Sequence, residues 1–173
     1  MEAVVGVPGH LGKGPVYLAH LAAAADWPTL LTDPDWQSTA GDPEQPFGLF
    51  TASPDPSGQP AWDELADYCV QRRLVLVSSW GENSTLLDDA FDMAAVVREV
   101  EGLPTSDPLT TWHDHEPLEQ ALDFFVRFRG DNTNLDLDED HPAWQRLVLV
   151  VGDAAWFEQA EAYLHALSTR ADA

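Results

Sequence analysis

AVVGVPGHLGKGPVYLAHLAAAADWPTLLTDPD, residues 3–35, reads as strand, glycine-rich turn, helix, strand and acidic end. Ala3–Val7 is a short apolar run with β-branched residues, the composition of a strand. Gly6, Gly9 and Gly12 recur at every third position. Gly14-Pro15 then opens a helix expected over Pro15–Ala25, because proline suits the first helical position. Thr29–Thr32 is a second short apolar run, expected to be a strand, and Asp33 follows it.

A βαβ unit built this way can hold a dinucleotide. One glycine makes the tight turn, one lets the backbone approach a pyrophosphate, and one lets helix and strand pack closely. The diphosphate then sits at the helix N-terminus, where free N–H groups and the dipole favour an anion. Lys13, the only lysine of the chain, lies in that turn. Asp33 stands where an acid would bond ribose hydroxyls. A glycine- and proline-rich surface turn without a ligand would carry the same letters.

The chain of 173 residues is long enough for one domain with a sizeable core. Thirty acids against eight bases give a formal net charge of −22. Nucleic acid and anionic membrane are excluded as direct partners, since both need a basic surface. A basic protein is the partner that such a charge would attract. The lone Cys69 leaves no intrachain disulfide framework, and its apolar helical setting makes it a buried thiol. The start lacks the basic and apolar regions of a signal peptide, so a cytoplasmic location is expected.

Downstream, strands and helices alternate. Gln37–Gln59 has a loop-like composition, broken by a short apolar piece, Phe47–Ala52, that reads as a strand. Pro60–Arg72 is an amphipathic helix with Trp62, Leu65, Ala66 and Cys69 on one face. Arg73–Trp80 is a continuous apolar strand, as in a sheet covered on both faces. Ser84 or Thr85 caps a helix to about Glu101, along which Leu87, Ala90, Phe91, Ala94, Val97 and Val100 follow helical spacing. Thr105–Glu116 reads as loop, Pro117–Phe128 as helix, Gly130–His141 as an acidic connection, and Leu147–Val151 as the last strand before a helix capped by Asp153.

The expected fold is therefore a single three-layer, Rossmann-like α/β domain over residues 1–173. Its mainly parallel sheet has about five strands, with helices on both faces. Residues 1–100 form the nucleotide-binding half and 101–173 a divergent part.

Two stretches resemble the short-chain dehydrogenase/reductase superfamily, in its atypical NmrA-like branch. VVGVPGHLGKG is similar to the family's nucleotide loop, and GLFTASPDPSGQPAWDELADYCVQRRLVLVSSWGENS to its strand, proline-rich loop, helix and Val-Ser-Ser strand. The resemblance implies a pyrophosphate loop at Gly6, Gly9 and Gly12, with the backbone of His10 and Leu11 approaching the phosphates. It implies ribose recognition at Asp33, a nicotinamide neighbourhood at Ala52 and Ser53, and a carbonyl-polarising serine at Ser78 or Ser79. An acid at Asp33 would repel a 2′-phosphate, so NAD is the expected cofactor in preference to NADP. The family's Tyr-x-x-x-Lys pair is absent, because Lys13 is the only lysine. That leaves either a residual oxidoreductase or a nucleotide-responsive regulator without turnover.

Other constellations fail on spacing. Gly12-Lys13 is followed by Gly14 where a P-loop needs a hydroxyl. Trp112–Glu116 holds two histidines and two acids, but adjacent loop residues seldom converge on one metal. Asp136, Asp138 and Asp140 begin like a calcium loop, yet the glycine and closing glutamate are missing.

A second reading comes from charge alone: an interaction module of the inhibitor or immunity type that masks a basic partner. Asp88, Asp89, Asp92 and Glu99, on the helix Leu86–Glu101, are the acids expected to steer that partner. The turn Gly81-Glu82-Asn83 resembles the loop of barstar-type inhibitors.

Overall fold

The structure is a computed structural model that describes residues 5–7, 16–39, 45–54, 56, 60–128 and 144–171. The strands are β1 (Val5–Val7), β2 (Val16–Leu21), β3 (Phe47–Ala52), β4 (Leu74–Trp80), β5 (Leu109–His113) and β6 (Gln145–Val151). The helices are α1 (Pro34–Thr39), α2 (Pro60–Val70), α3 (Thr85–Val100), α4 (Leu118–Arg127) and α5 (Ala154–Ala171), with a 3-10 helix at Ala24–Thr32.

All six strands join one sheet in the order β1-β2-β6-β3-β4-β5. Five of them run parallel, and β1 lies antiparallel to β2 at one edge. The fold is three-layer and Rossmann-like, as the alternation of strands and helices implies. β3, β4 and β5 step outward in turn through α2 and α3. β6 then returns to fill the place between β2 and β3.

Both sheet faces are covered, which is why the central strands are apolar on both sides. On one face Trp27 and Leu30 of the 3-10 helix, Trp62 and Leu65 of α2, and Leu87 and Phe91 of α3 form a core. On the other face Leu118, Leu122 and Phe125 of α4 pack with Phe157, Ala160 and Leu164 of α5. Cys69 is wholly buried, and that burial pushes its thiol pKa up to about 12.

Local chemistry fixes the helix ends. Asp153 Oδ1 accepts the backbone N–H groups of Ala155 and Trp156 at 2.8 and 3.3 Å, capping α5. α3 closes in a Schellman motif: Gly102, at φ +68°, donates to Glu99 O at 3.0 Å, and Leu103 donates to Arg98 O at 2.9 Å.

Two elements of the opening stretch differ from the sequence reading. Val16–Leu21, expected within a helix, is a strand, paired in parallel with β6 from Val16↔Arg146 to Leu21↔Val151. A six-residue run that is apolar all round has no period to separate helix from buried strand, and here pairing on both edges decides it. Thr29–Thr32, expected to be a strand, closes the 3-10 helix; Pro28 within it lacks the N–H that a regular helix would use. A third difference lies at Thr105–Glu116, read as loop, which contains edge strand β5.

Candidate functional site

Of the residues proposed for the nucleotide loop, Gly6 alone is among the described residues. Gly6 lies in β1, and the segment after it leads into antiparallel neighbour β2. Gly9, His10, Leu11, Gly12 and Lys13 lie outside the described residues. Asp33 is not at a strand end. It caps α1, its Oδ1 accepting the Trp36 backbone N–H at 3.2 Å.

Ala52 ends parallel strand β3 and Ser53 follows it, both buried. The connections from β3 and β6 leave toward opposite faces of the sheet, which is where doubly wound folds bind ligands. The described strand ends around it pack closely. Gly152 donates to Leu21 O at 2.8 Å, and a Cβ placed on Gly152 would lie 3.5 Å from the Pro54 ring. Gly81 sits so close that its own Cβ would meet Ser53 O at 2.5 Å.

Ser78 and Ser79 are neighbours on a strand and therefore point to opposite faces. Ser79 Oγ accepts from Thr51 Oγ1 at 3.2 Å on the α2–α3 side. Ser78 Oγ, on the α4 side, lies 3.0 Å from Thr111 Oγ1 and 3.0 Å from His113 Nε2. His113 Nδ1 is 3.4 Å from Glu116 Oε1. That contact lacks hydrogen-bond geometry, and Nδ1 has no hydrogen-bond partner.

Serine, histidine and glutamate thus stand in the order of a nucleophilic triad. Ser78, however, is 0 % exposed, and the Phe124 ring lies 5.2 Å from the His113 ring. A nucleophile must reach an acyl carbon, and this one is sealed beneath the sheet surface. The cluster joins β4, β5 and the start of α4, with Trp80 Nε1 donating to Glu116 O at 2.8 Å as a further tie. Its geometry describes a polar clamp.

An apolar crevice lined by Tyr17, Ala19, Leu30, Trp36 and Leu147 has room for about one water molecule. Among the described residues no group of three or more His, Cys, Asp or Glu could hold a metal, and no helix is long and apolar enough to cross a membrane.

The distinctive surface is on α3. Leu87, Asp88 and Phe91 face inward. Met93, Val96, Val97 and Val100 fall at i, i+3, i+4 and i+7, the spacing of a single stripe. All four are exposed, Met93 at 62 % and Val100 at 82 %. Val97 and Val100, grouped by spacing with Phe91 in the sequence, are thus turned to solvent. Leu103 follows them, also exposed, and Trp112, on the α3 side of β5, is exposed as well. A helix with one buried and one solvent-facing apolar stripe is unusual, because solvent faces are normally polar.

Acids flank this stripe. Asp89, Asp92, Glu99 and Glu101 are exposed. Asp88, expected with them, is buried instead, and that burial raises its pKa. Arg98, the one basic residue in α3, is held by Asp67 Oδ1 at 3.0 Å and by Pro104 O at 2.9 Å. The helix periodicity was legible in the sequence; the solvent exposure of its second apolar row was not.

The sequence over residues 20–167 matches the family model described as Domain of unknown function (DUF7684). No curated protein matches it.

Proposed function

This chain belongs to the DUF7684 family, and we propose that it is a protein-binding module of the inhibitor or immunity type that masks a basic partner. The observation that carries this reading is the α3 stripe Met93, Val96, Val97 and Val100, apolar and exposed, between exposed acids. Contiguous exposed apolar surface rimmed by charge marks protein-contact sites. The net charge of −22 supplies long-range steering toward a cation-rich surface. Desolvated apolar contacts at the centre would supply the affinity.

The dinucleotide reading has less support. It needs a helix after the first strand, and Val16–Leu21, expected within that helix, is strand β2.

A displayed peptide library selected on the wild-type protein at low salt tests the proposal, with counter-selection on a Val96→Asp/Val100→Asp variant. Both positions are exposed, so the variant is expected to keep its stability within about 0.5 kcal/mol. Enriched peptides should be rich in Lys or Arg with apolar residues, bind more weakly as salt rises, and lose binding to the variant. Peptides without bases, or indifferent to the two substitutions, would overturn the proposal. Tryptophan fluorescence during NAD addition gives the competing outcome: saturable micromolar binding would restore the nucleotide reading.

A further inference from the structure

The β5 edge of the sheet lies beside α3. β5 is the terminal strand, and among the described residues no strand pairs with its outer side. Leu109–His113 holds neither lysine nor proline, two residues by which native edges discourage pairing. An edge of this kind is a template for an added strand.

The two sides of that edge differ in chemistry. Thr110 and Trp112 alternate with Leu109, Thr111 and His113 along β5. Thr110 Oγ1 donates to Asp92 Oδ1 of α3 at 3.2 Å, so this side of β5 meets the acidic flank of the helix. Glu99 lies seven residues after Asp92, two helical turns on, and shares that flank. On the opposite side Thr111 and His113 bond Ser78, and His113 packs on half-exposed Phe124 of α4. Exposed Leu109 lies on that side too. Arg127, the basic residue of α4, is engaged by Asp123 at 2.8 Å.

We infer that the partner of this surface is an extended segment alternating basic and apolar side chains, which adds to β5 as a further strand. The inference rests on the protein-binding reading above. Side chains of an added strand point alternately to the two sides of the sheet. One set would then lie along Asp92 and Glu99, where lysine or arginine is complementary. The other would lie against Leu109 and Phe124, where valine, leucine or an aromatic residue is complementary. Backbone hydrogen bonds to the edge would give affinity, and the alternation would give register.

The probes are two synthetic peptides of identical composition in arginine and leucine, one alternating and one with helical spacing. Each is titrated into the full-length protein with amide chemical shifts recorded. The alternating peptide should bind more tightly, by about tenfold, and shift the amides of Leu109–His113. N-methylation of every second peptide amide should abolish binding in one phase and spare it in the other, because only one edge of the peptide would face β5. Trp112→Lys, at an exposed position of β5, should weaken binding by placing a cation on the edge.

Tighter binding by the helical peptide, with shifts confined to α3, would overturn strand addition and leave the protein-binding reading standing. Equal loss from both phases of N-methylation would also overturn strand addition. Failure of both peptides to bind at low salt would overturn the inference and the protein-binding reading together.

Discussion

The Thr110 hydroxyl of β5 donates to the Asp92 carboxylate of α3 at 3.2 Å, tying the last strand of the sheet to the helix that precedes it. The tie sits at the margin of a buried acid. Asp88 is one turn before Asp92 and faces inward, with its Oδ1 lacking a hydrogen-bond partner. α3 thus presents exposed carboxylates to solvent and holds one beneath itself.

Asp88 gives a pH prediction with a definite sign. Burial raises its pKa above the ordinary value of 3.8, Thr110 opposes the rise, and the charges of Asp92 and Asp89 add to it. The folded state therefore holds this proton more tightly than the unfolded state. The resulting stabilisation is fully present below pH 3.8 and is lost as pH rises through the raised folded pKa. Asp88→Asn, which is neutral throughout, should lack that loss. Denaturant midpoints of the two proteins should differ least in acid, with the Asn variant gaining on wild type toward neutral pH. A difference that does not change with pH would contradict the buried-acid assignment.

The Ser78–His113 pair is expected to act in stability and not in turnover. Ser78→Ala would remove the hydroxyl 3.0 Å from His113 Nε2 and leave a buried ring nitrogen short of a partner. The cost should be about 1–3 kcal/mol in chemical denaturation. Amide exchange in β5 should quicken most, because this cluster fastens the edge strand to β4. Unchanged stability together with loss of an esterase activity would instead make the trio a nucleophilic site.

Legibility in the sequence followed the strength of local periodicity. Strand β4, helix α2 and the Asp153-capped α5 were all plain, because a continuous apolar run, a helical apolar row and a side-chain cap are local signals. β2 was misread because Pro15 offers a helix start and the six residues after it are apolar on both faces; its parallel partner β6 is more than a hundred residues away. Edge strand β5 was missed because Leu-Thr-Thr-Trp-His is half exposed and has no apolar run. The exposed apolar stripe of α3 was hidden by a walk of phase. Phe91, Ala94, Val97 and Val100 are three residues apart, and each step falls about 60° short of a full turn. By Val100 the row has passed from core to solvent, which only the placement of the sheet under α3 reveals.

The closure of the strand ends can be tested at two glycines. At Gly48, where the pairing of β3 with β4 shifts register, an added Cβ would lie 2.3 Å from Trp144 Cζ3, a side-chain atom. Gly48→Ala should cost about 1–3 kcal/mol, the usual range for overpacking, with the indole shifting to make room. At Gly81 the obstacle is backbone: φ is +116°, and the Cβ would lie 2.5 Å from Ser53 O. No rotamer change relieves that contact, and the conformation itself is strained for any residue with a side chain. Ser53 N also donates to Trp80 O at 3.3 Å, so the ends of β3 and β4 are already laced together. Gly81→Ala should therefore destabilise more than Gly48→Ala, with the loss read from urea midpoints of both variants. If Gly81→Ala were the milder of the two, the β3 and β4 ends would have room between them. The crevice beyond Ala52 and Ser53 would then be open to a ligand after all.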